Sequence, residues 1–113
     1  MKNFLKFFVV FFLIVAFIAC SDEPPSFRVK NERPTKANVQ IKTVNNTVNL
    51  NDIQPGTVTN YQDVAEGKVE ITAGIQNEDF SPTGSFNASN NYNYTIVVVN
   101  STPPSLRVDS SSK

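Results

Sequence analysis

The sequence has 113 residues, ten basic and ten acidic side chains, no histidine, no tryptophan and one cysteine. That length suits a single domain, and the balanced charge is no nucleic-acid footprint. A lone cysteine excludes an intramolecular disulfide, and a transition-metal site built on His or Cys ligands has too few of them.

Lys2 and Lys6 form a short basic start, and Phe7 to Ala19 is an unbroken apolar run of 13 residues. As a helix at about 1.5 Å per residue it would reach only ~20 Å. A bilayer core is about 30 Å thick. The run is too short to span and suits the apolar region of a secretory signal. A buried core helix would show a polar face, and this run has none.

The run closes on Phe17-Ile18-Ala19-Cys20. This tetrad resembles the bacterial lipobox, in which the cysteine thiol is alkylated by a diacylglyceryl group and becomes the new N-terminus. That motif favours Leu where Phe17 stands, whereas Ile18, Ala19 and Cys20 fit it. The resemblance implies removal of residues 1–19 as a lipoprotein signal peptide and lipidation at Cys20. Thiol chemistry points the same way. An unpaired thiol on an exported protein is a reactive liability, and a thioether removes it. Each buried methylene contributes about 0.8 kcal/mol, so one acyl chain holds marginally and two hold stably.

Residues 20–113 carry eight basic against ten acidic side chains, a charge of −2, and 13 asparagines. Asparagine favours turns and tolerates left-handed backbone. Residues 20–25 read as the lipidated cysteine and a tether, because Pro24 and Pro25 oppose helix and central strand alike. Ser21 after the cysteine resembles the outer-membrane sorting choice of diderm bacteria. Asp22 and Glu23 resemble the acidic pair of surface-exported bacterial lipoproteins, or serve as a solvated spacer.

From Ser26 the apolar period is two, the strand signal. Phe27-Arg28-Val29-Lys30 alternates, Glu32 to Lys36 turns at Pro34, and Ala37 to Lys42 alternates again. Val44-Asn45-Asn46-Thr47 is a hairpin candidate, and Val48, Leu50 and Ile53 face inward after it. Gln54-Pro55-Gly56-Thr57 has Pro then Gly at the centre of a type II turn. Val58 to Val64, with Tyr61, is expected as a strand. Ala65-Glu66-Gly67 turns into Lys68 to Ala73, and Gln76 to Gly84 is an acidic loop. Phe86 anchors a weak strand. Tyr92 to Asn100 is the strongest strand. Its run Ile96-Val97-Val98-Val99 lacks a polar member, so both faces are expected to be covered. Leu106 and Val108 belong to a last strand.

Seven or eight short strands with frequent turns predict an all-β fold, an immunoglobulin-like antiparallel β-sandwich over residues 26–109. A partly open β-barrel is the alternative. Residues 110–113 are expected as a disordered tail. The expected core is Phe27, Val29, Val39, Ile41, Leu50, Val69, Ile71, Phe86, Ile96, Val98, Leu106 and Val108.

Several of these segments resemble domain of unknown function family 4397. They are Phe27 to Asn31, Ala37 to Ile41 after a Pro turn, Leu50 to Tyr61 with Gly56, Val64 to Ile71, and Tyr94 to Val99. Ala65-Glu66 replaces the family's Pro-Ala, and its second Asp-Ala-Pro is missing from the first turn. The resemblance implies an exported β-sandwich, often on lipoproteins, with no catalytic residues to carry over.

The residue types argue against an enzyme. Nucleophilic Ser or Thr usually needs His or a lysine base. Lys30, Lys36, Lys42 and Lys68 fall at outward strand positions or in a turn. A carboxylate pair for glycoside cleavage would draw on Glu66, Glu70, Glu78 or Asp79, and nothing in their spacing sets two across a cleft. Asn77-Glu78-Asp79 could join a calcium loop but lacks the Asp-x-Asp-x-Asp-Gly register. Tyr61, Tyr92 and Tyr94 could stack on a sugar, but Tyr92 and Tyr94 share the face of Ile96 and Val98, which favours core or core-rim packing.

The expectation is a non-catalytic bacterial lipoprotein without cofactor or metal. It would be held to the outer membrane through Cys20, on the cell-surface or periplasmic face, and bind an envelope protein or glycan. Glycan- or calcium-dependent surface recognition is the alternative.

Overall fold

The period-two stretches form eight strands in the computed structural model, which describes residues 22–113. They are β1 (Ser26–Asn31), β2 (Ala37–Lys42), β3 (Thr47–Ile53), β4 (Gln62–Asp63), β5 (Gly67–Ile75), β6 (Thr83–Ala88), β7 (Tyr92–Val99) and β8 (Ser105–Ser112). Two four-stranded sheets pack as a β-sandwich and do not close into a barrel, with strand orders β4-β1-β7-β8 and β3-β2-β5-β6. Every pairing is antiparallel except β1 with β7, which run parallel with Phe27 beside Tyr94 and Val29 beside Ile96. The strand order is therefore not that of an immunoglobulin constant domain, although the two-layer architecture is the same.

Alternation explains why the sheets stack. Along β2 the burial strictly alternates, with Ala37, Val39 and Ile41 inward and Asn38, Gln40 and Lys42 outward. β5 does the same through Val69, Ile71, Ala73 and Ile75. These meet Phe27, Val29, Ile96 and Val98 from the other sheet. Fully burying each Val, Ile or Phe contributes about 1.5–3 kcal/mol.

Leu50, Phe86, Leu106 and Val108 pack against this core but are only partly buried. They sit on β3, β6 and β8, the sheet edges, where one flank lacks a neighbouring strand. The core also takes Ala37, Ile53, Val64, Ala73, Ile75, Ala88 and Tyr94. On β7 Val97 is 1% exposed on the outer face, flanked by Lys30 and Arg107 on the neighbouring strands. Aliphatic stems of such long side chains cover apolar surface while their charges stay in water.

Two segments depart from expectation. Val58 to Val64 is not a continuous strand: it makes one bridge, Lys30 to Val58, and the two-residue β4. The Thr59 hydroxyl accepts the Val29 N–H at 2.9 Å, so a side chain takes the place of a ladder carbonyl and the regular pairing breaks. Residues 110–113 are not a disordered tail. β8 continues to Ser112, with Ser110, Ser111 and Ser112 paired to Tyr94, Asn93 and Tyr92. A ladder is made by backbone groups, so serine joins it as well as valine does.

Turns follow their residues. Gly56 has φ +71°, and the Thr57 N–H donates to the Gln54 carbonyl at 3.2 Å, as a type II turn requires. Asp52, Asn77 and Asn91 also have positive φ, within the tolerance of Asp and Asn. Gly67 has φ +129°, and an added Cβ would lie 2.8 Å from Val44 Cγ1.

Two of the buried polar residues stand at the end of β1 and in its crossover to β2. Asn31 is 0% exposed and Arg33 7%. The Asn31 carboxamide donates to the carbonyls of Thr35 and Ile53, and its oxygen accepts the Arg33 N–H. The Arg33 guanidinium donates to the carbonyls of Val99 and Ser101 and to Glu78 at 2.8 Å. One arginine thus ties the end of β7 to the loop after β5, across the two sheets.

Removing that guanidinium takes a donor from the Val99 and Ser101 carbonyls and leaves the Glu78 carboxylate to solvent. Arg33→Met should lower the urea-unfolding free energy of residues 22–113 by about 2–3 kcal/mol. Glu78→Gln, whose half-exposed amide still accepts, should cost under about 1 kcal/mol. Gly67→Ala should cost about 1–3 kcal/mol for its backbone angle alone. Removing the contact through Gly67→Ala/Val44→Ala should leave most of that loss in the same assay.

Candidate functional site

Cys20, the expected lipidation site, lies outside the described residues. The segment joining it to the sandwich is described from Asp22 onward. Strand direction gives the molecule two ends. β1 leaves the tether end, so the loops after β1, β3, β5 and β7 gather at the far end. The turns after β2, β4 and β6 lie at the tether end.

The tether meets the β6–β7 turn. The Glu23 N–H donates to the Asn91 carboxamide oxygen and the Asn91 N–H donates to the Glu23 carbonyl, both at 2.9 Å. The Asn91 amide group donates to the Asp22 carboxylate at 3.1 Å. The Lys113 ammonium donates to the Ser26 hydroxyl at 2.9 Å and lies 3.8 Å from the Glu23 carboxylate. Pro25 is buried, and its carbonyl accepts the Val64 N–H. This segment is therefore bonded to the fold along its length. The sequence signalled only two prolines and two acids, and partners 68 residues away leave no local trace.

The four lysines stand at the surface. Lys30 pairs with Glu32 at 3.4 Å, Lys68 with Glu70 at 3.4 Å, and Lys36 lies 4.0 Å from Asp52. Lys42 is exposed opposite Glu70 on the outer face of β2. The four acids are dispersed. Glu66, at the tether end, accepts the Asn90 N–H at 3.4 Å. Glu70 is on the outer face of β5, while Glu78 and Asp79 belong to the far-end β5–β6 loop. Asn77 precedes them in left-handed backbone. Among the described residues, no three Asp, Glu, His or Cys side chains converge as metal ligands.

The tyrosines separate. Tyr94 is buried, its hydroxyl accepting the Ser89 N–H at 2.9 Å and donating to the Asn87 carbonyl at 3.3 Å. Its ring lies 4.6 Å from that of Phe86. Tyr92 is half-exposed at the rim, 6.5 Å from Tyr94. Tyr61 is half-exposed beside the outer face of the same sheet, under the guanidinium of Arg28 on β1 at 4.6 Å. The three rings do not form one stacking platform.

Three open depressions of about 350, 370 and 360 Å³ lie on or beside the outer face of β3-β2-β5-β6. Their walls include Asn38, Gln76, Lys42, Lys68, Thr72 and Ser85. On the opposite sheet Asp109 hydrogen-bonds Arg107 and, as an adjacent negative charge, raises its pKa above the ordinary arginine value. Among the described residues, no helix is long and apolar enough to cross a membrane. No family model and no curated protein matches the chain.

Because the Tyr94 hydroxyl satisfies a main-chain N–H, Tyr94→Phe should cost about 1 kcal/mol in urea unfolding. The ring stays in place against Phe86, so the far-ultraviolet circular dichroism should keep its shape.

Proposed function

We propose that the protein is a lipid-anchored bacterial envelope protein, whose sandwich acts by binding or scaffolding and not by catalysis. The observation that carries this reading is the ordered signal ending in Phe17-Ile18-Ala19-Cys20, with the chain's one cysteine two residues before the described fold. The anchor supplies the membrane contact, on the outer membrane at its surface or periplasmic face. The partner is an envelope protein or a glycan.

The dispersal of Glu66, Glu70, Glu78 and Asp79 supports the non-catalytic part, because acid–base chemistry needs groups that meet on one substrate. The exposure of the lysines and the pairing of Lys30 and Lys68 with carboxylates support it too, since neither ammonium is aimed into a cleft. The resemblance to family 4397 belongs to the same proposal.

Expressed in a diderm bacterium with an alkyne-bearing palmitate, the chain should incorporate the label and sediment with membranes. Cys20→Ala should abolish the label and leave uncleaved precursor. Equal labelling of that variant would overturn the reading.

A further inference from the structure

The tether is too well bonded to be a loose spacer. Asn91 uses its main-chain N–H and both ends of its carboxamide on Asp22 and Glu23, and its carbonyl accepts the Lys113 N–H at 2.9 Å. Lys113 then reaches back to Ser26 and Glu23, and Ser26 donates to Asp63 at 2.9 Å. The last two residues of the sequence's tether before this clasp are Cys20 and Ser21. From Cys20 to Asp22 an extended chain covers at most about 7 Å.

We propose that this clasp orients the sandwich on the lipid surface that holds Cys20. The β2–β3 and β6–β7 turns face the headgroups, and the loops after β1, β3, β5 and β7 face outward. The inference rests on the lipid-anchor reading for its biological setting. Its geometry comes from the clasp and from the length of chain between Asp22 and Cys20. A lipid surface is the occupant of the tether end because so short a leash leaves no room for another protein beneath it. The acidic pair takes on a structural role here: Asp22 accepts from Asn91, and Glu23 lies beside Lys113.

Two exposed apolar side chains mark the two ends. Val44, 60% exposed, sits in the β2–β3 turn, and Phe80, 55% exposed, sits in the β5–β6 loop. β5, nine residues long, runs from one end to the other, which separates them by about 25–30 Å at 3.3 Å per residue. The chain has no tryptophan, so Val44→Trp or Phe80→Trp installs a single reporter.

Residues 20–113 contain both sheets and one thiol, which can be coupled to a maleimide phospholipid in phosphatidylcholine vesicles containing a dansyl lipid. Energy transfer to dansyl should be several-fold stronger from V44W than from F80W. Asn91→Gly permits the φ of +70° at that position but removes the carboxamide, and should bring the ratio toward one. A Gly-Ser linker of about ten residues, a coil of roughly 17 Å, placed between Ser21 and Asp22 should do the same without touching the fold. If Asn91→Gly does not fold, the linker variant decides alone. Equal transfer from both reporters with the native tether, or a ratio unmoved by the linker, would overturn the inference. Chemical coupling keeps the result independent of whether cells lipidate Cys20.

Discussion

A buried guanidinium at the far end of the sandwich sets the relation between its two sheets. Arg33 is held by carbonyls at the end of β7 and by Glu78 beyond β5, and its own N–H is fixed by Asn31. Burying a charge is costly unless it is paired and hydrogen-bonded, so the three segments must arrive together. Apolar contact alone would tolerate sliding of one sheet over the other, since it is non-directional. The Asn31–Arg33 cluster is directional and stops that sliding, which in turn fixes where the four far-end loops stand. The tether end has its own polar closure, built on Asn91. A domain without disulfides thus carries a hydrogen-bonded lock at each end of an apolar core.

The core was legible in the sequence wherever a strand is central. Val39 and Ile41, or Val69 and Ile71, alternate with polar residues because one face is dry and the other wet, and that periodicity survives without knowledge of any partner. Pro55-Gly56 announced its turn because the required φ values suit those two residues. Edge positions were harder: Leu50 and Phe86 follow the same alternation as Ile41, yet the pattern does not say which strands lie outermost. Arg33 looked like an ordinary turn residue beside Pro34, since a buried arginine is identified only by acceptors that come from residues 78, 99 and 101. The serines of β8 misled for the opposite reason. Their side chains advertise solvent, while their backbone completes a ladder with β7.

The functional region divides in the same way. A cysteine after a basic start and an apolar run is a local pattern, so the expectation at Cys20 is drawn from residue types alone. The seating of the next residues is not, because Asp22 and Glu23 meet Asn91 through the fold. Likewise the tyrosines share a sequence neighbourhood or a residue type, but burial separates Tyr94 from Tyr92, and Tyr61 stands beside Arg28 on the outer face of the sheet whose inner face holds Tyr94. What the surface offers instead is amides, hydroxyls and paired charges on the outer face of β3-β2-β5-β6.

The parallel pairing of β1 with β7 has a consequence in time. Phe27 lies beside Tyr94, and Val29 beside Ile96, each 67 positions later in the chain. The sheet β3-β2-β5-β6 is assembled wholly within residues 37–88, by neighbours in sequence or nearly so. The other sheet takes β1 from before that stretch, β7 and β8 from after it and only the two-residue β4 from within, so it needs both flanks. Closing so long a loop costs entropy before its contacts repay it. A chain emerging from its N-terminus therefore cannot complete the second layer until β7 and β8 are also free. Until then it remains threadable, and its first strand waits unpaired on one side for the seventh.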